Sequence, residues 1–421
     1  MEMSTDFLKI DSEVVKNNLI NLKQLVFEVT DRCNLKCKYC GYGELYEGYD
    51  ERKSKSLQFT KARLVIDYLV ALWSEHIRNS FIQPITLGFY GGEPLMNMHF
   101  IKELIQYVEG LGNVGKLFQY NMTTNGLLLN RHQDYLVEKK ITLLISLDGN
   151  EKDHSYRVDA KGRNSHKRVV ENIRLLQQSY PEYFTKQVNF NTVLHNMNSV
   201  ESAYYYIKNN FGKTTTISPL NNSGIRPDKM PDFIKTYQNV NESIRIAENC
   251  EQLESEMFIK SPNINQLANF FYNHSGNVID NYSDLLIDKN KLNIPPTGTC
   301  TPFFKKMFIT VNGKILPCER VNHEFEFGQI QDKKLDLDLQ LIAERFNDYV
   351  FSYVEQCRIC STKHKCSQCV FQIDDIHDPN SKCKSFTSPE VYKKYIQTQL
   401  NYLGEHPELY EKIIREVVIT N

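Results

Sequence analysis

The stretch Asp31–Cys40 (DRCNLKCKYC) decides the fold, because it places Cys33, Cys37 and Cys40 at a C-x3-C-x2-C spacing. It follows directly on the apolar run LVFEVT at residues 25–30, which is typical of a buried strand. Three thiolates on one short loop can each hold one iron of a four-iron cluster and leave the fourth iron open to a bound molecule. Half of a zinc site, or a group of reduced structural thiols, is the alternative, but zinc sites usually pair two C-x2-C knuckles.

A second motif follows the next apolar run. Residues 84–90 (PITLGFY) read as a buried strand that ends in Gly91, Gly92, Glu93 and Pro94. Consecutive glycines let backbone approach a ligand closely, and proline suits the first turn of a helix. The pattern therefore predicts a ligand-facing turn directly after the second strand.

With these two motifs the chain resembles the radical S-adenosylmethionine (SAM) enzymes. Their cluster loop carries C-x3-C-x-aromatic-C, and Cys33, Cys37, Tyr39 and Cys40 meet this pattern. The resemblance implies that the three cysteines hold a 4Fe-4S cluster and that its open iron binds SAM. It further implies that SAM is cleaved to methionine and a 5′-deoxyadenosyl radical, so the cofactor carries the difficult chemistry.

The middle of the chain alternates strand and helix patterns. Strands are predicted at residues 25–30, 84–89, 117–122, 141–147, 188–194 and 214–217, each followed by a helical pattern. Six such units predict an α/β fold, a partial (β/α)6 TIM-like barrel that is not fully closed. The polar motifs all lie at the C-terminal ends of strands, where the function of such barrels gathers.

The resemblance also implies SAM contacts at these strand ends. The segment from Ser146 to Arg157 is similar to an S-L-D-G…H-D-x-x-R run of peptide-modifying members, with Arg157 favoured over Arg163 to pair with the SAM carboxylate. Asp148 is interpreted as a helix cap or a turn former. The implied contacts are Tyr39 beside the adenine, Gly91, Gly92 and Glu93 at the methionine amino group, Thr124, Asn125 and Ser146 at the ribose, and Arg157 at the carboxylate.

The C-terminal third carries seven further cysteines. They are Cys300, Cys318, Cys357, Cys360, Cys366, Cys369 and Cys383. On spacing alone, the two C-x2-C pairs suit a zinc ribbon as well as iron–sulfur. The whole pattern resembles the SPASM extension of radical SAM peptide maturases, except that x2 separates Cys366 from Cys369 where x3 is usual.

The SPASM resemblance implies two auxiliary 4Fe-4S clusters, and thus three clusters in all. The outer cluster would be held by Cys357, Cys360, Cys366 and Cys383. The inner cluster would be held by Cys300, Cys318 and Cys369 and would lack a fourth thiolate. We expect Cys250 to be a small buried group rather than that ligand, which leaves an open iron or a non-cysteine ligand.

Composition fits an intracellular enzyme. The 421 residues carry a net charge of −1, with no polycationic footprint for nucleic acid and no apolar run long enough for a membrane span. Eleven cysteines in a chain without a secretory signal favour metal ligands in the cytoplasm over disulfides. Five segments are predicted: an N-terminal extension (1–22), the radical SAM barrel (23–220), a helical bridging region (221–299), the SPASM domain (300–385) and a C-terminal helix (386–421).

We therefore expect a radical SAM/SPASM enzyme that modifies side chains of a ribosomally made precursor peptide. The product would be a thioether, carbon–carbon or ether crosslink, or an epimer. Glu319, next to Cys318, stands where sulfatase-maturing relatives have an acidic base and is the candidate proton acceptor, with a surface salt bridge as its alternative role.

Partners and alternative functions follow from the same resemblance. An electron donor such as flavodoxin or ferredoxin is implied. The 22-residue N-terminal extension is too short for a winged-helix recognition domain, so we expect the leader to bind elsewhere on the chain or to a separate leader-recognition protein. An anaerobic sulfatase-maturating enzyme is the alternative, disfavoured by Tyr90 where those enzymes have Gln and by the missing fourth cysteine. A zinc-binding scaffold is the non-enzyme alternative.

Overall fold

A computed structural model describes residues 7–75, 84–274, 295–331, 334–378 and 380–417. Residues 275–294 of the predicted bridging region, and the outermost residues of both predicted terminal segments, lie outside this range. The chain forms two compact units. The barrel unit comprises Asp11–Asn239 and Cys300–Arg345, and the helical unit comprises Met1–Ile10, Val240–Thr299 and Phe346–Asn421.

The barrel unit is built on one sheet. Within the described residues ten strands pair in the order β10-β9-β8-β7-β1-β2-β3-β4-β5-β6. The first six strands are parallel neighbours in chain order, which confirms the predicted α/β barrel fold. They are β1 (Gln24–Thr30), β2 (Ile85–Gly91), β3 (Phe118–Thr124), β4 (Thr142–Ser146), β5 (Val188–Val193) and β6 (Thr215–Ser218).

The remaining strands extend this sheet on the other side of β1. They are β7 (Lys306–Ile309), β8 (Lys314–Leu316), β9 (Gly328–Gln331) and β10 (Lys334–Asp336). Strand β7 lies parallel to β1, and β8 to β10 continue as an antiparallel meander. The first part of the cysteine-rich segment thus belongs to the barrel sheet, although the sequence predicted a separate domain from residue 300.

Helices cover the outer face of the sheet because alternate strand residues point outward and are apolar. Phe27 of β1, for example, meets Phe100 with ring centroids 6.5 Å apart. The helices of the barrel unit are α1 (Ser12–Ile20), α2 (Phe59–Glu75), α3 (Met98–Glu109), α4 (Leu129–Glu138), α5 (His166–Ser179), α6 (Pro181–Gln187), α7 (Val200–Phe211) and α8 (Met230–Thr236). No helix in the described part of the chain is long and apolar enough to span a membrane.

The helical unit packs around Leu267, Phe271 and Ile413. In chain order the remaining helices are α9 (Val240–Arg245), α10 (Cys250–Met257), α11 (Pro262–His274), α12 (Leu339–Phe351), α13 (Val354–Arg358), α14 (Pro389–Glu405) and α15 (Glu408–Glu416). The single C-terminal helix predicted from the sequence is two helices, because Pro407 cannot continue the hydrogen-bond ladder of α14. The helical pattern around Cys250 is likewise divided between α9 and α10.

Candidate active site

The loop of three cysteines leaves the C-terminal end of β1. The thiols of Cys33, Cys37 and Cys40 interact electrostatically with one another, so the structure brings all three together. The loop is anchored by backbone hydrogen bonds from Lys36 N to the Val158 carbonyl (2.7 Å) and from Lys38 N to the Tyr156 carbonyl (3.1 Å). The cysteine loop is therefore tied to the polar segment that follows β4.

The Gly-Gly turn packs directly on the start of this loop. Gly92 N donates to the Thr30 carbonyl and Glu93 N to the Arg32 carbonyl, both at 2.8 Å. A Cβ at Gly91 would stand 2.3 Å from the Thr30 carbonyl oxygen, and one at Gly92 would stand 2.1 Å from that of Arg32. Gly91 also has φ +130°, so only glycine fits this close approach.

Glu93 is completely buried behind the turn. Its carboxylate accepts hydrogen bonds from Thr124 Oγ1 (2.6 Å), Asn125 N (2.7 Å) and Leu95 N (3.2 Å). Burial raises the pKa of Glu93 to about 7, and these three hydrogen bonds oppose that rise. The structure thus joins three of the predicted SAM contacts, with Glu93 clamping the end of β3, and a direct bond from Glu93 to SAM stays a prediction.

Asp148 is the centre of a buried polar network after β4. It is fully buried and accepts Arg157 Nε (2.9 Å), Arg157 Nη2 (3.1 Å), Val193 N (3.0 Å) and the Tyr39 hydroxyl. Burial alone would raise the pKa of Asp148, but the Arg157 guanidinium, His195 and His154 together outweigh burial and hold that pKa well below its usual range. Arg157 is therefore paired with Asp148, and its predicted contact to the SAM carboxylate stays a prediction.

Two buried histidines support this network. His154 Nδ1 accepts Asp148 N (3.3 Å) and its Nε2 lies 3.0 Å from Ser165 Oγ, which donates to the Arg157 carbonyl (2.8 Å). His195 stacks on Tyr39 with ring centroids 5.3 Å apart, and its Nε2 lies 3.7 Å from Asp148 Oδ2. Burial lowers the pKa of His154 to about 3, so this imidazole is neutral at neutral pH and can hold the Arg157 backbone in place.

The donor set around the three cysteines fits an iron–sulfur cluster. Leu35 N donates to Cys33 Sγ at 3.4 Å, and Asn125 Nδ2 donates to the same sulfur at 3.8 Å. Hydrogen bonds to cysteine sulfur are a usual means of tuning such clusters. Burial raises the pKa of Cys33 to about 11 and that of Cys37 to about 12, but a bound metal would deprotonate the thiols.

No three His, Cys, Asp or Glu side chains stand close enough for a single metal ion anywhere in the described ranges. A four-iron cluster has different demands, because each cysteine takes its own iron.

The predicted proton acceptor Glu319 belongs to the same unit. Lys306 Nζ donates to both of its carboxylate oxygens, at 2.7 and 2.9 Å, and both side chains are mostly buried. Tyr49 and Tyr90 interact electrostatically with Glu319 and with Cys40, and Tyr49 also with Cys318. Burial raises the pKa of Tyr49 to about 12, so its hydroxyl keeps its proton at neutral pH.

The helical unit brings together the four cysteines predicted for the outer cluster. Cys357 interacts electrostatically with Cys360, Cys366 and Cys383. Backbone amides again face sulfur: Thr387 N donates to Cys360 Sγ and Gln368 N to Cys366 Sγ, both at 3.4 Å. The Gln368 amide therefore donates to the sulfur two residues before it, as the Leu35 amide does to Cys33.

The cysteines predicted for the inner cluster are shared between the units. Cys300 and Cys318 belong to the barrel unit, whereas Cys369 belongs to the helical unit, so this ligand set stays a prediction. Cys250 begins α10 and interacts electrostatically with Tyr402 of α14.

Sequence reasoning missed the partner of Arg157 and two aromatic neighbours of the cysteines. Asp148 was interpreted as a turn former, although a carboxylate at the end of a barrel strand was a usable signal. His195 likewise follows the end of a strand, β5, and this position would have indicated it as a candidate site residue. Tyr49 had no signal, because it is one of three tyrosines in the loop that follows Cys40 and belongs to no motif.

Comparison with known proteins places both parts of the chain. The sequence model of the radical SAM superfamily matches residues 27–203, and that of the iron–sulfur cluster-binding SPASM domain matches residues 300–369. A cysteine-type anaerobic sulfatase-maturating enzyme of Clostridium novyi (strain NT) is 24% identical over 408 residues, which cover 91% of this chain and 98% of that enzyme. A radical SAM cyclopropyl synthase of Paramaledivibacter caminithermalis is 25% identical over 224 residues, which cover 51% of this chain and 43% of that enzyme.

Solved structures agree on the fold. The structure of anSMEcpe with bound AdoMet (SAM) and the Kp18Cys peptide aligns with a TM-score of 0.58 and 19% identity, covering 93% of this chain and 99% of that one. The cysteine loop and the Gly-Gly turn thus lie within the radical SAM match, and the cysteines from Cys300 to Cys369 lie within the SPASM match. The protein belongs to the radical SAM/SPASM family of enzymes, which use SAM and iron–sulfur clusters.

Proposed function

We propose that this enzyme modifies a side chain of a ribosomally made precursor peptide. SAM bound to the cluster of Cys33, Cys37 and Cys40 would supply the radical that removes a hydrogen atom from the peptide. The observation that carries the proposal is the Glu319–Lys306 pair, which lies within electrostatic reach of Tyr90 and Tyr49. A carboxylate held in this way can accept the proton that the peptide radical loses when a new bond forms, and the electron released with that proton would pass to an auxiliary iron–sulfur cluster.

The fold neighbour that holds both AdoMet and a peptide supports this substrate class. We infer that Arg157, Glu93 and the strand-end residues Thr124, Asn125 and Ser146 position SAM. Their side chains lie at the C-terminal ends of β2, β3 and β4 or in the loops that follow. We further propose three 4Fe-4S clusters and an electron donor such as flavodoxin or ferredoxin.

Formylglycine formation is the second candidate. It is favoured by the sulfatase-maturating relative, whose alignment spans nearly all of both chains. Tyr90 counts against it, because its ring stands in the barrel interior against Phe308, with centroids 6.0 Å apart, where the sulfatase-maturating enzymes have Gln.

Anaerobic turnover with two kinds of peptide tests the proposal. The reconstituted enzyme, SAM and a reductant would be incubated with the Kp18Cys peptide, and separately with peptides encoded by short reading frames beside the gene. Mass spectrometry distinguishes the products: loss of two hydrogens marks a crosslink, and deuterium uptake from D2O without other change marks an epimer. Replacement of the cysteine thiol by an aldehyde oxygen in Kp18Cys would support formylglycine formation instead. If no peptide is modified, the proposal is wrong.

The role of Glu319 has its own test. In Glu319→Gln the side chain keeps its shape but loses its basicity, so we expect product formation to fall about 100-fold, while 5′-deoxyadenosine is still released. Glu109→Gln serves as the matched control and should keep the wild-type yield, because both oxygens of Glu109 likewise accept hydrogen bonds from one lysine, Lys139, on an exposed part of the barrel unit. Equal product yield in Glu319→Gln would remove Glu319 from the reaction.

A further inference from the structure

The loop that follows the three cysteines is fixed on the loop that follows Cys318. His323 N donates to the Gly48 carbonyl at 2.8 Å, and Asp50 N donates to His323 Nδ1 at 3.1 Å. Gly48 has φ +86°, and Asn322 occupies the space where a Cβ would stand, so glycine is required here. Residues 48–50 therefore have one defined position beside the Cys318 loop.

The side chain of Asp50 strengthens this attachment. It accepts Lys314 Nζ at 2.9 Å and Asn312 Nδ2 at 2.7 Å, and it lies 3.4 Å from His323 Nδ1. Lys314 belongs to β8 of the barrel sheet. The sheet thus orients Asp50, the residue that follows Tyr49, and the Cys318 loop orients Gly48, the residue that precedes it.

Tyr49 lies near two cysteines of the barrel unit, Cys40 of the first cluster loop and Cys318. Its ring makes edge contacts with Tyr42 and His323, with centroids 5.1 and 5.3 Å apart. It is half-buried and interacts electrostatically with Cys40, Cys318 and Glu319. Its hydroxyl has no hydrogen-bond partner among the residues that the structure describes.

We propose that Tyr49 is a substrate-contacting residue whose hydroxyl donates a hydrogen bond to a backbone carbonyl of the bound peptide, next to the reacting residue. A peptide unit offers one carbonyl acceptor and one N–H donor. The Tyr49 hydroxyl, which interacts electrostatically with Glu319, supplies a donor for that carbonyl beside the candidate proton acceptor. The inference rests on the proposed function and extends it from the substrate class to the residue that orders the peptide backbone.

Tyr49→Phe tests this role, because it removes the hydroxyl and keeps the ring contacts. The probe is whichever peptide of the turnover experiment the wild-type enzyme modifies. We expect the dissociation constant of that peptide to rise about tenfold, the effect of one lost hydrogen bond. We also expect more 5′-deoxyadenosine per modified peptide, since a loosely held substrate wastes SAM. SAM cleavage without peptide should stay at the wild-type rate.

Tyr180→Phe is the matched control, since its hydroxyl bonds only to exposed Asp134 and the change should leave every readout as in wild type. Unchanged peptide affinity and unchanged coupling in Tyr49→Phe would overturn the inference and leave the proposed function standing. A loss of SAM cleavage without peptide would also overturn it, because Tyr49 would then act on the cluster. Absence of any wild-type turnover would instead refute the proposed function, and the role of Tyr49 with it.

Discussion

At the scale of single residues, the buried pair of Asp148 and Arg157 is the strongest constraint on the active site. Both side chains are nearly inaccessible, and two parallel hydrogen bonds join them. A buried ion pair of this kind adds little net stability, but removing one partner leaves an uncompensated charge. The pair therefore fixes the segment after β4, and through Tyr39 it also fixes the cysteine loop.

Asp148→Asn should consequently destabilise the protein strongly. We expect a loss of about 3–5 kcal/mol in the free energy of unfolding, because Arg157 stays charged and buried. The double variant Asp148→Asn with Arg157→Met removes that charge and should recover much of the loss. Chemical denaturation measures both, with Glu182→Gln as control, because its ion pair with Lys186 is exposed to solvent and should contribute little to stability. A double variant no more stable than Asp148→Asn would contradict the argument.

Glu28 predicts a pH dependence. It is 2% exposed on β1, and burial raises its pKa from 4.5 to about 7, although Val311 N donates to it. The folded state thus holds this proton more tightly than the unfolded state, so its contribution to stability falls as pH rises from about 4.5 through about 7.

The stability of Glu28→Gln relative to that of the wild type should therefore increase as the pH rises. The difference in unfolding free energy between variant and wild type should grow by up to about 3 kcal/mol between pH 4.5 and pH 8. Paired unfolding measurements across this range test it. The difference between the two proteins isolates Glu28 from the other titrating groups. A stability difference that stays constant with pH would mean that folding does not raise the pKa of Glu28.

The residues that the sequence could and could not predict differ in a physical way. Cys33, Glu93 and Arg157 stand at fixed spacings after strands, so the local pattern was enough to select them as candidate site residues. Asp148 lies nine residues before Arg157 in the same segment after β4, and only the folded backbone of that segment brings the two side chains together. The ring of His195, which stacks on Tyr39, comes from the end of β5, far from Tyr39 in the sequence. Such contacts depend on tertiary distance, which spacing along the chain does not encode.

At the scale of elements, the position of α10 supports the prediction that Cys250 is a packing residue and not a cluster ligand. This residue is the first of the helix and lies near Tyr402 of α14, which is a packing environment for a small thiol. A cluster ligand would instead be expected on an irregular loop among other cysteines, as at residues 357–366.

Cys250→Ser should accordingly keep the wild-type iron content and the wild-type rate of SAM cleavage. The expected penalty is about 1–3 kcal/mol of stability, the effect of a hydroxyl at a partly buried position. Cys360→Ser is the matched comparison, because it removes a thiol that sits among three others and should release iron. Loss of iron from Cys250→Ser would make this residue the fourth ligand of the inner cluster.

At the scale of the whole molecule, the cysteines of the first cluster and of the outer cluster lie in different compact units. Their metal sites should therefore be separable. The anaerobically purified wild type should carry about 11–12 irons per chain, as three clusters require.

Replacing Cys33, Cys37 and Cys40 together by Ala should lower the iron content to about 7–8 per chain and abolish reductive SAM cleavage. The cysteines of the outer cluster should keep their iron, because they lie in the helical unit and not in the barrel unit. They are Cys357, Cys360, Cys366 and Cys383. Iron analysis and the yield of 5′-deoxyadenosine measure the two effects. Continued formation of 5′-deoxyadenosine would show that a different cluster cleaves SAM.

The barrel order was predictable because each parallel strand follows the previous one with a helix between, and the alternation of patterns records this. The pairing of β7 with β1 was not predictable. Strand β7 is only four residues long and lies within a cysteine-rich segment, so its metal-site pattern dominated the interpretation. Its partner is also distant in sequence, and periodicity carries no information on such pairing.

That pairing has a consequence for synthesis on the ribosome. Strand β1 gains its second neighbour, and Glu28 its bond from Val311, across 283 residues of chain. At about 5–20 residues per second, translation needs about 15–60 s to cover this distance. Throughout that interval the nascent chain presents an unpaired strand edge beside three thiols. The newborn protein is therefore most exposed to misfolding and to oxidation before β7 emerges, and a chaperone or an oxygen-free cell would protect it at that stage.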